Sequence, residues 1–362
     1  MTASVESPLV TTEEARTLLE ELVGIPSVSG EESEVAEHLV AFFEAHDREV
    51  WIDEVGNVRA PADDAVLLTS HMDTVPGDIP VEVRPAEDDP LASDGEPILW
   101  GRGSVDATGS LAAMAAAAVN TGVSFAGVVR EETTSTGSRH LVADREAPDA
   151  LVNGEPSGAN GITLGYRGFM WGSYVATSES GHSSRPDPNA IQHAVSWWNA
   201  VEDAFPYDEY APIFEQVTTK PAEMEGGRSE DGLSVEVTLG FQLRVPPSRD
   251  VEMIRETVEG ELEIGTISWN DPIPPVMQSP RTAVARAFRA AIRGADEEPR
   301  LLRKSGTSDM NNFAEAWTCP MVTYGPGDAG LDHTPQERLP LAEFDQSVTI
   351  LEDVSSTLSE DQ

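Results

Sequence analysis

The chain has 362 residues, with 64 Asp or Glu against 23 Lys or Arg, a formal charge of −41 at pH 7. So acidic a surface repels phosphate backbones and anionic headgroups, which excludes nucleic acid and membrane surfaces as expected partners. No apolar run reaches the roughly 18 residues of a membrane span, and the single cysteine, Cys319, excludes a disulfide framework and fits a reducing, cytoplasmic setting. Lysine occurs only at Lys220 and Lys304. Acidity spread evenly over a lysine-poor chain is tolerated where salt screens charges within about 3 Å at 1 M, so the composition reads as halophilic and archaeal.

Residues 1–10 show neither a basic nor a long apolar segment, so no secretory leader is expected. Thr11-Thr12-Glu13-Glu14 is a capping-box signature ahead of Leu18, Leu19 and Leu22 at helical spacing. A second helix is predicted from Glu31 through Phe43. Ala65-Val66-Leu67-Leu68 reads as a buried parallel strand that ends near His71 and Asp73. The stretch from Asp78 to Pro97 reads as a surface loop or antiparallel excursion, and alanine-rich Leu111 to Val119 as a core helix. Phe125 to Val129 and Ala150 to Val152 are two further strands, with Glu131-Glu132 and Glu155 beyond their ends. This alternation, up to about Tyr166, predicts an α/β domain with a mostly parallel sheet and helices on both faces.

Near Gly168 the pattern changes. Ser234 to Val245 alternates strictly, with Val235, Val237, Leu239, Phe241, Leu243 and Val245 on one face, as in a half-buried antiparallel strand. Helices are predicted at Asn189 to Ala204, with Ile191, Val195 and Trp198 inward, and at Arg249 to Leu262. After Pro272-Ile273-Pro274-Pro275 the α/β pattern resumes, with a strand after Cys319. The expected organisation is a discontinuous α/β domain, 1–167 and 273–362, interrupted by an inserted α+β domain, 168–272, whose amphipathic sheet has an edge strand.

His71, Asp73, Asp106, Glu131, Glu132, Glu155 and His333 fall in five short motifs. Imidazole and carboxylate suit zinc, and a two-metal hydrolytic site holds its ions about 3.5–4 Å apart, which needs a bridging ligand. In so acidic a chain any single acid is most often a surface charge. Three strand ends that carry acid or imidazole are different, because open α/β sheets place their sites there.

The stretches Ser70-His71-Met72-Asp73-Thr74-Val75-Pro76, Gly101-Arg102-Gly103-Ser104-Val105-Asp106, Glu131-Glu132, Asn153-Gly154-Glu155-Pro156-Ser157, Ser180-Gly181-His182-Ser183 and Asp332-His333-Thr334 span nearly the whole chain. In this order they resemble the co-catalytic zinc amidohydrolases, the family of acetylornithine deacetylase, succinyl-diaminopimelate desuccinylase, aminoacylase and the glutamate-type carboxypeptidases. The resemblance implies two zinc ions per subunit, with cobalt or manganese as substitutes. By position, His71 and Glu132 would hold one zinc, Glu155 and His333 the other, and Asp106 would bridge. Glu131 would act as general base, and Asp73, two residues along the strand from His71, would fix the imidazole tautomer. His182 resembles the histidine that polarises the scissile carbonyl, commonly in the neighbouring subunit's site, and the inserted lid would form a homodimer. Two positions depart from the pattern. Ala107-Thr108 follow Asp106 where many members have Lys or Gly two residues on, and Gln242 stands where relatives often have Asp two residues before Arg244.

Glu155-Pro156-Ser157-Gly158, the run from Gly161 to Gly168, and the run from Lys304 to Asn311 resemble the branch that releases lysine or ornithine from the carrier protein LysW. That branch cuts an isopeptide bond between the carrier's terminal glutamate γ-carboxyl and the amino acid's α-amino group, in arginine and lysine biosynthesis. Arg244 reads either as a fork for a substrate carboxylate or as an exposed strand arginine. Thr307, Ser308 and Asp309 read either as a substrate-binding turn, with Asp309 for a side-chain ammonium, or as the N-cap of a helix from Met310 to Trp317. Seven of the 23 basic residues lie between Arg281 and Lys304, as a patch for an acidic carrier or as a solvated helix face. A small-molecule deacylase or dipeptidase of the same family stays open, as does ornithine versus lysine. A catalytically dead binder is a third reading, which Glu131 beside all five ligands argues against.

Overall fold

The computed structural model describes residues 9–360. The first eight residues, most of the stretch read above for a leader, and the last two lie outside the described residues. The chain divides into two units, one of residues 1–164, 278–302 and 312–362, the other of residues 165–277 and 303–311. The predicted insertion, 168–272, falls wholly in the second unit, which adds 165–167, 273–277 and 303–311.

At the centre of the first unit's sheet is the strand Asp63–His71, buried from Ala65 onward. It runs parallel to Val123–Val128 on one side and to Leu151–Gly154 on the other, and Met321–Thr323 pairs parallel beyond Leu151–Gly154. Antiparallel strands finish both flanks, Val58–Ala60 and Trp51–Ile52 at one and Gly161–Tyr166 at the other. Strands hidden on both faces must be apolar throughout, which is why these runs are continuous rather than alternating. Parallel register then puts His71 opposite Val128 and Ser70 opposite Gly154. The carboxyl ends of three strands therefore reach one edge together.

Close approach at that edge requires glycine. A Cβ on Gly154 would lie 2.6 Å from the Ser70 Cβ and 3.0 Å from the Met114 sulfur. Helix Thr108–Thr121 supplies that sulfur and packs on Asp63–His71, Val123–Val128 and the helices Thr12–Val23 and Leu341–Glu360. Its run of alanine lets it sit tightly among these neighbours, and every residue from Thr108 to Val119 is buried. Thr12–Val23 begins with the predicted capping box, Thr11 with Glu14. The second helix is Ser33–Ala45, two residues later than predicted at each end. The Asp78 to Pro97 stretch is an antiparallel excursion: Glu82–Pro85 pairs with Pro97–Trp100, which pairs with Arg338–Pro340.

The second unit is a four-stranded antiparallel sheet in the order Thr218–Arg228, Ser234–Val245, Gly168–Glu179, Thr266–Trp269. As the alternation predicts, Val237, Leu239, Phe241, Leu243 and Val245 are buried, packed with residues of the helices Ala190–Ala204 and Val251–Gly260. Val195 is a correction. It is 44 % exposed, because the inward stripe of its helix runs through Ala190, Ala194, Trp197, Trp198 and Val201 instead. Asp250 caps Val251–Gly260, accepting hydrogen bonds from the Glu252 and Met253 N–H groups. No described helix is long and apolar enough to cross a membrane.

The substitution Gly154→Ala forces its new methyl onto Ser70. Chemical denaturation is expected to show a loss of about 1–3 kcal/mol, and an unchanged midpoint would show that these strand ends have room to relax.

Candidate metal centre

Past Val128 the chain leaves the sheet, so the next N–H groups lose their ladder partners and must find others. Four in succession are taken by side chains. Val129 donates to Asn57 Oδ1 at 3.1 Å, Arg130 to Glu32 Oε1 at 3.1 Å, Glu131 to Asp73 Oδ1 at 3.0 Å and Glu132 to Asp73 Oδ2 at 3.1 Å. Asn57, Glu32 and Asp73 are all buried. Arg130 itself holds a left-handed φ of 60°, which turns the chain so that its carbonyl receives the N–H groups of Thr134 and Ser135. The backbone beneath Glu131 and Glu132 is thus fixed residue by residue.

The strand ends at His71, so Asp73 does not lie along it as the sequence reading assumed. The imidazole Nδ1 lies 2.9 Å from the Asp73 backbone carbonyl and 3.5 Å from its carboxylate. The carbonyl is therefore the nearer acceptor for the Nδ1 proton, and the carboxylate serves chiefly the backbone of Glu131 and Glu132. Ser29 Oγ also donates to that carboxylate, at 2.6 Å. On the other side of the ring, His71 Nε2 lies 3.3 Å from Asp106 Oδ1.

His333 arrives from the other end of the chain, also at a left-handed φ of 60°. Its Nε2 lies 3.2 Å from Asp106 Oδ2 and 3.1 Å from Glu132 Oε1. Ligand atoms of His71, Glu131 and Glu155 lie within 4.8 Å of one another, as do those of His71, Asp106 and Glu132. Each oxygen of Asp106 thus faces a different imidazole. Ala107 and Thr108, where the chain departs from the family pattern, are buried, so the departure is a matter of core packing, and the Asp106–Ala107 peptide is cis.

Three supporting residues here escaped sequence reading. Glu337, fully buried, accepts the N–H groups of Val105 and Asp106 on Oε1, both at 3.0 Å, and Arg102 on Oε2 at 2.7 Å. Its signal, an acid four residues after His333, was lost among 64 acids. Asn57 and Glu32 were missed because nothing in their sequence neighbours points to Val129 or Arg130.

The electrostatics are those of a crowded anion site. Burial works against charge on Asp106, yet the imidazoles of His333 and His71 hold its carboxyl below the ordinary range. Burial raises Glu132, and the charges of Asp106 and Asp73 add to that. Burial lowers His71, but Asp106, Asp73, Glu131 and Glu155 together lift it well above its usual value, and Asp106 chiefly raises His333 to about 9. Two imidazoles and several carboxylates, packed so that their own protons are drawn onto the rings, form a donor set that fits divalent cations such as zinc.

The other predicted residues belong to the second unit. His182 is on an exposed loop. Its Nδ1 accepts the Ser184 N–H at 3.2 Å, which leaves the ring proton on Nε2. Arg244 is half-buried, its guanidinium 4.3 Å from the centre of the Phe169 ring and 3.4 Å from Thr307 Oγ1. Arg167 lies close enough that burial and the Arg244 charge lower it to about 10, and neither arginine makes an ion pair among the described residues. Ser308 Oγ accepts the Met310 N–H at 3.3 Å, a capping contact at the start of helix Asp309–Ala316, and Asp309 is buried.

An α/β unit that gathers imidazole and carboxylate at its strand ends, with a separate antiparallel unit inserted, defines a metal-dependent hydrolase of the dinuclear kind. The chain matches the profile of peptidase family M20/M25/M40 over residues 67–357 and belongs to that family. It is 34 % identical to a Thermococcus kodakarensis protein provisionally named a LysW-lysine/LysW-ornithine hydrolase, over 97 % of this chain and 94 % of the relative. It is 35 % identical to the LysW-lysine hydrolase of Deinococcus radiodurans, over 95 % and 97 %. Among solved structures, the aminopeptidase PepT of Bacillus cereus shares the fold with a TM-score of 0.77 at 20 % identity, covering 97 % of this chain and 100 % of that one. A dinuclear metal-binding M20 peptidase of Bacillus subtilis shares it with a TM-score of 0.68 at 13 % identity, covering 96 % and 98 %.

The Asp73→Asn variant keeps the shape but loses the charge that holds two backbone N–H groups. Competition with a chelator is expected to show zinc affinity reduced about 10–100-fold, with the fold intact by circular dichroism; wild-type affinity would mean the clamp does not need a carboxylate.

Proposed function

We propose that the chain is a two-zinc amidohydrolase that releases ornithine, lysine or both from the γ-carboxyl of the terminal glutamate of the carrier LysW. The observation that carries the hydrolytic part is Asp106, with one carboxylate oxygen at each imidazole, 3.3 Å from His71 and 3.2 Å from His333, and Glu131 close by on a clamped backbone. Full-length likeness to LysW hydrolases supports the substrate.

The ring contacts favour a different sharing of ligands from the one the family resemblance first implied. Glu155 stands beside His71, and Glu132, though also within reach of His71 and Asp106, lies 3.1 Å from His333 Nε2. On this reading His71, Asp106 and Glu155 hold one zinc and His333, Asp106 and Glu132 the other. When bound, the pair would supply a polarised carbonyl and a water of lowered pKa. Glu131 takes the water's proton and passes it to the departing α-amino group, so the carboxylate ends the cycle as it began. His182, with its proton on Nε2, offers an N–H to the carbonyl oxygen, from the neighbouring subunit of a homodimer built through the second unit, where the edge strand Thr218–Arg228 is exposed along most of its length. Arg244 and Thr307 receive the substrate carboxylate, and Asp309 faces the side-chain ammonium. A cytoplasmic place in arginine or lysine biosynthesis goes with this substrate. Arg281, Arg286, Arg289 and Arg293, which make no ion pair among the described residues, form the surface for an acidic carrier.

The test is amino-acid release by the purified protein in high potassium chloride with zinc or cobalt, from ornithine- or lysine-loaded LysW and from N-acetylornithine. Release from the carrier is expected, with Glu131→Gln slower by about 10²–10⁴-fold at unchanged zinc content, and with Arg244→Ala raising KM by about tenfold or more for loss of a charged hydrogen bond. Preference for the acetyl compound would make it a small-molecule deacylase. Release from neither would return the dipeptidase and dead-relative readings.

A further inference from the structure

Asp106 and His333 are 227 positions apart in the sequence, and in the first unit one side chain is bound to both of their segments. Glu337 sits four residues beyond His333, in the segment that enters the strand Arg338–Pro340. That strand pairs with Pro97–Trp100, and the Gly101 N–H reaches the Glu337 carbonyl at 3.4 Å. The Glu337 side chain then runs forward along the 101–106 loop to take the Val105 and Asp106 N–H groups, both at 3.0 Å, while Arg102 closes over its other oxygen at 2.7 Å. The carboxylate is completely buried and all its partners are donors.

The geometry points to Glu337 as a positioning residue that makes the two metal positions interdependent. Resting on the dinuclear reading above, we infer that it fixes the backbone of the bridging Asp106 relative to the turn that carries His333, so that filling one position sets the ligands of the other and two divalent cations load cooperatively. A buried carboxylate that accepts two adjacent N–H groups fixes the orientation of that peptide more firmly than a neutral acceptor does, since charge-assisted hydrogen bonds are shorter and stronger. No other acid among the described residues is hydrogen-bonded to the Asp106 backbone. Because Glu337 does not itself ligate metal, its effect must travel through Asp106 and His333. A purely scaffolding role would lower stability and leave metal uptake unchanged.

The experiment titrates zinc into the chelator-stripped full-length protein against a chromophoric competitor, for wild type, Glu337→Gln and Glu337→Ala, with the melting temperature of each metal-free protein recorded in parallel. The glutamine keeps an acceptor for the two N–H groups but loses the charge and the Arg102 pair, so it reports even if the alanine variant fails to fold. Wild type is expected to take up two zinc ions in one cooperative step. Glu337→Gln is expected to bind them in two resolved steps, the weaker about tenfold looser, and Glu337→Ala about 10–100-fold looser. A wild type that binds two ions while both variants bind them with the same affinity and cooperativity, whatever their melting temperatures, overturns the inference and leaves the dinuclear reading standing. A wild type that takes up no zinc, cobalt or manganese overturns both.

Discussion

Everything at this site depends on the Asp73 carboxylate being held ionised in a buried place. Burial alone would raise it, yet the neighbouring His71 imidazole, the Ser29 hydroxyl and the Glu131 N–H keep it below its ordinary value. In return it fixes the two backbone groups under Glu131 and Glu132. Two adjacent residues proposed as general base and metal ligand face a geometric difficulty, since neighbouring side chains off a regular strand point to opposite faces. The chain resolves it by leaving the strand at Val128, turning at Arg130 with a positive φ, and replacing the lost ladder with side-chain acceptors. The irregular backbone is stable because no N–H from Val129 to Glu132 goes without a buried acceptor.

The same device appears twice more. Glu32 and Asn57 hold the residues before Glu131 as Asp73 holds Glu131 and Glu132, and Glu337 holds the loop before Asp106. The segments that carry Glu131, Glu132 and Asp106 therefore rest on buried acids or an amide from elsewhere in the chain. This arrangement crowds negative charge at one sheet edge, and the imidazoles of His71 and His333 are its counterweight within the protein itself. Divalent cations answer the same need with more charge, which is the physical reason such a cluster holds metal in preference to remaining a network of protonated histidines.

The fold was largely legible because its signals are periodic. Continuous apolar runs marked the parallel strands, the alternation of Ser234 to Val245 marked the second unit's sheet, and Thr11 with Glu14 marked the first helix. Misreadings occurred where periodicity carries less information. Val195 was placed inward because three apolar residues at near-helical spacing fit more than one stripe, and the tryptophans at 197 and 198 decided which stripe was buried. His71, Asp106, Glu132 and Glu155 were legible as motifs and stand close together in the structure, whereas the proposed sharing between two metal positions rests on how His333, delivered across a long chain excursion, lies against Glu132.

The supporting residues were illegible for a different reason. In a chain where 64 of 362 residues are acidic, an acid carries almost no information by its type, and only burial separates Glu337 or Glu32 from the solvated majority. A buried carboxylate must be met by donors, and here the donors are mostly backbone N–H groups, which every residue except proline supplies and which leave no trace in sequence. The scarce cations are more informative for the same reason. Of the 23 basic residues, Arg102 is committed to Glu337, Arg167 is buried and spends its guanidinium on the Ser305, Ile213 and Gln216 carbonyls and on Thr218 Oγ1, and Arg244 is half-buried without an ion pair among the described residues. An arginine left without an acid in a chain this negative is the feature on which the proposed carboxylate-binding role of Arg244 rests.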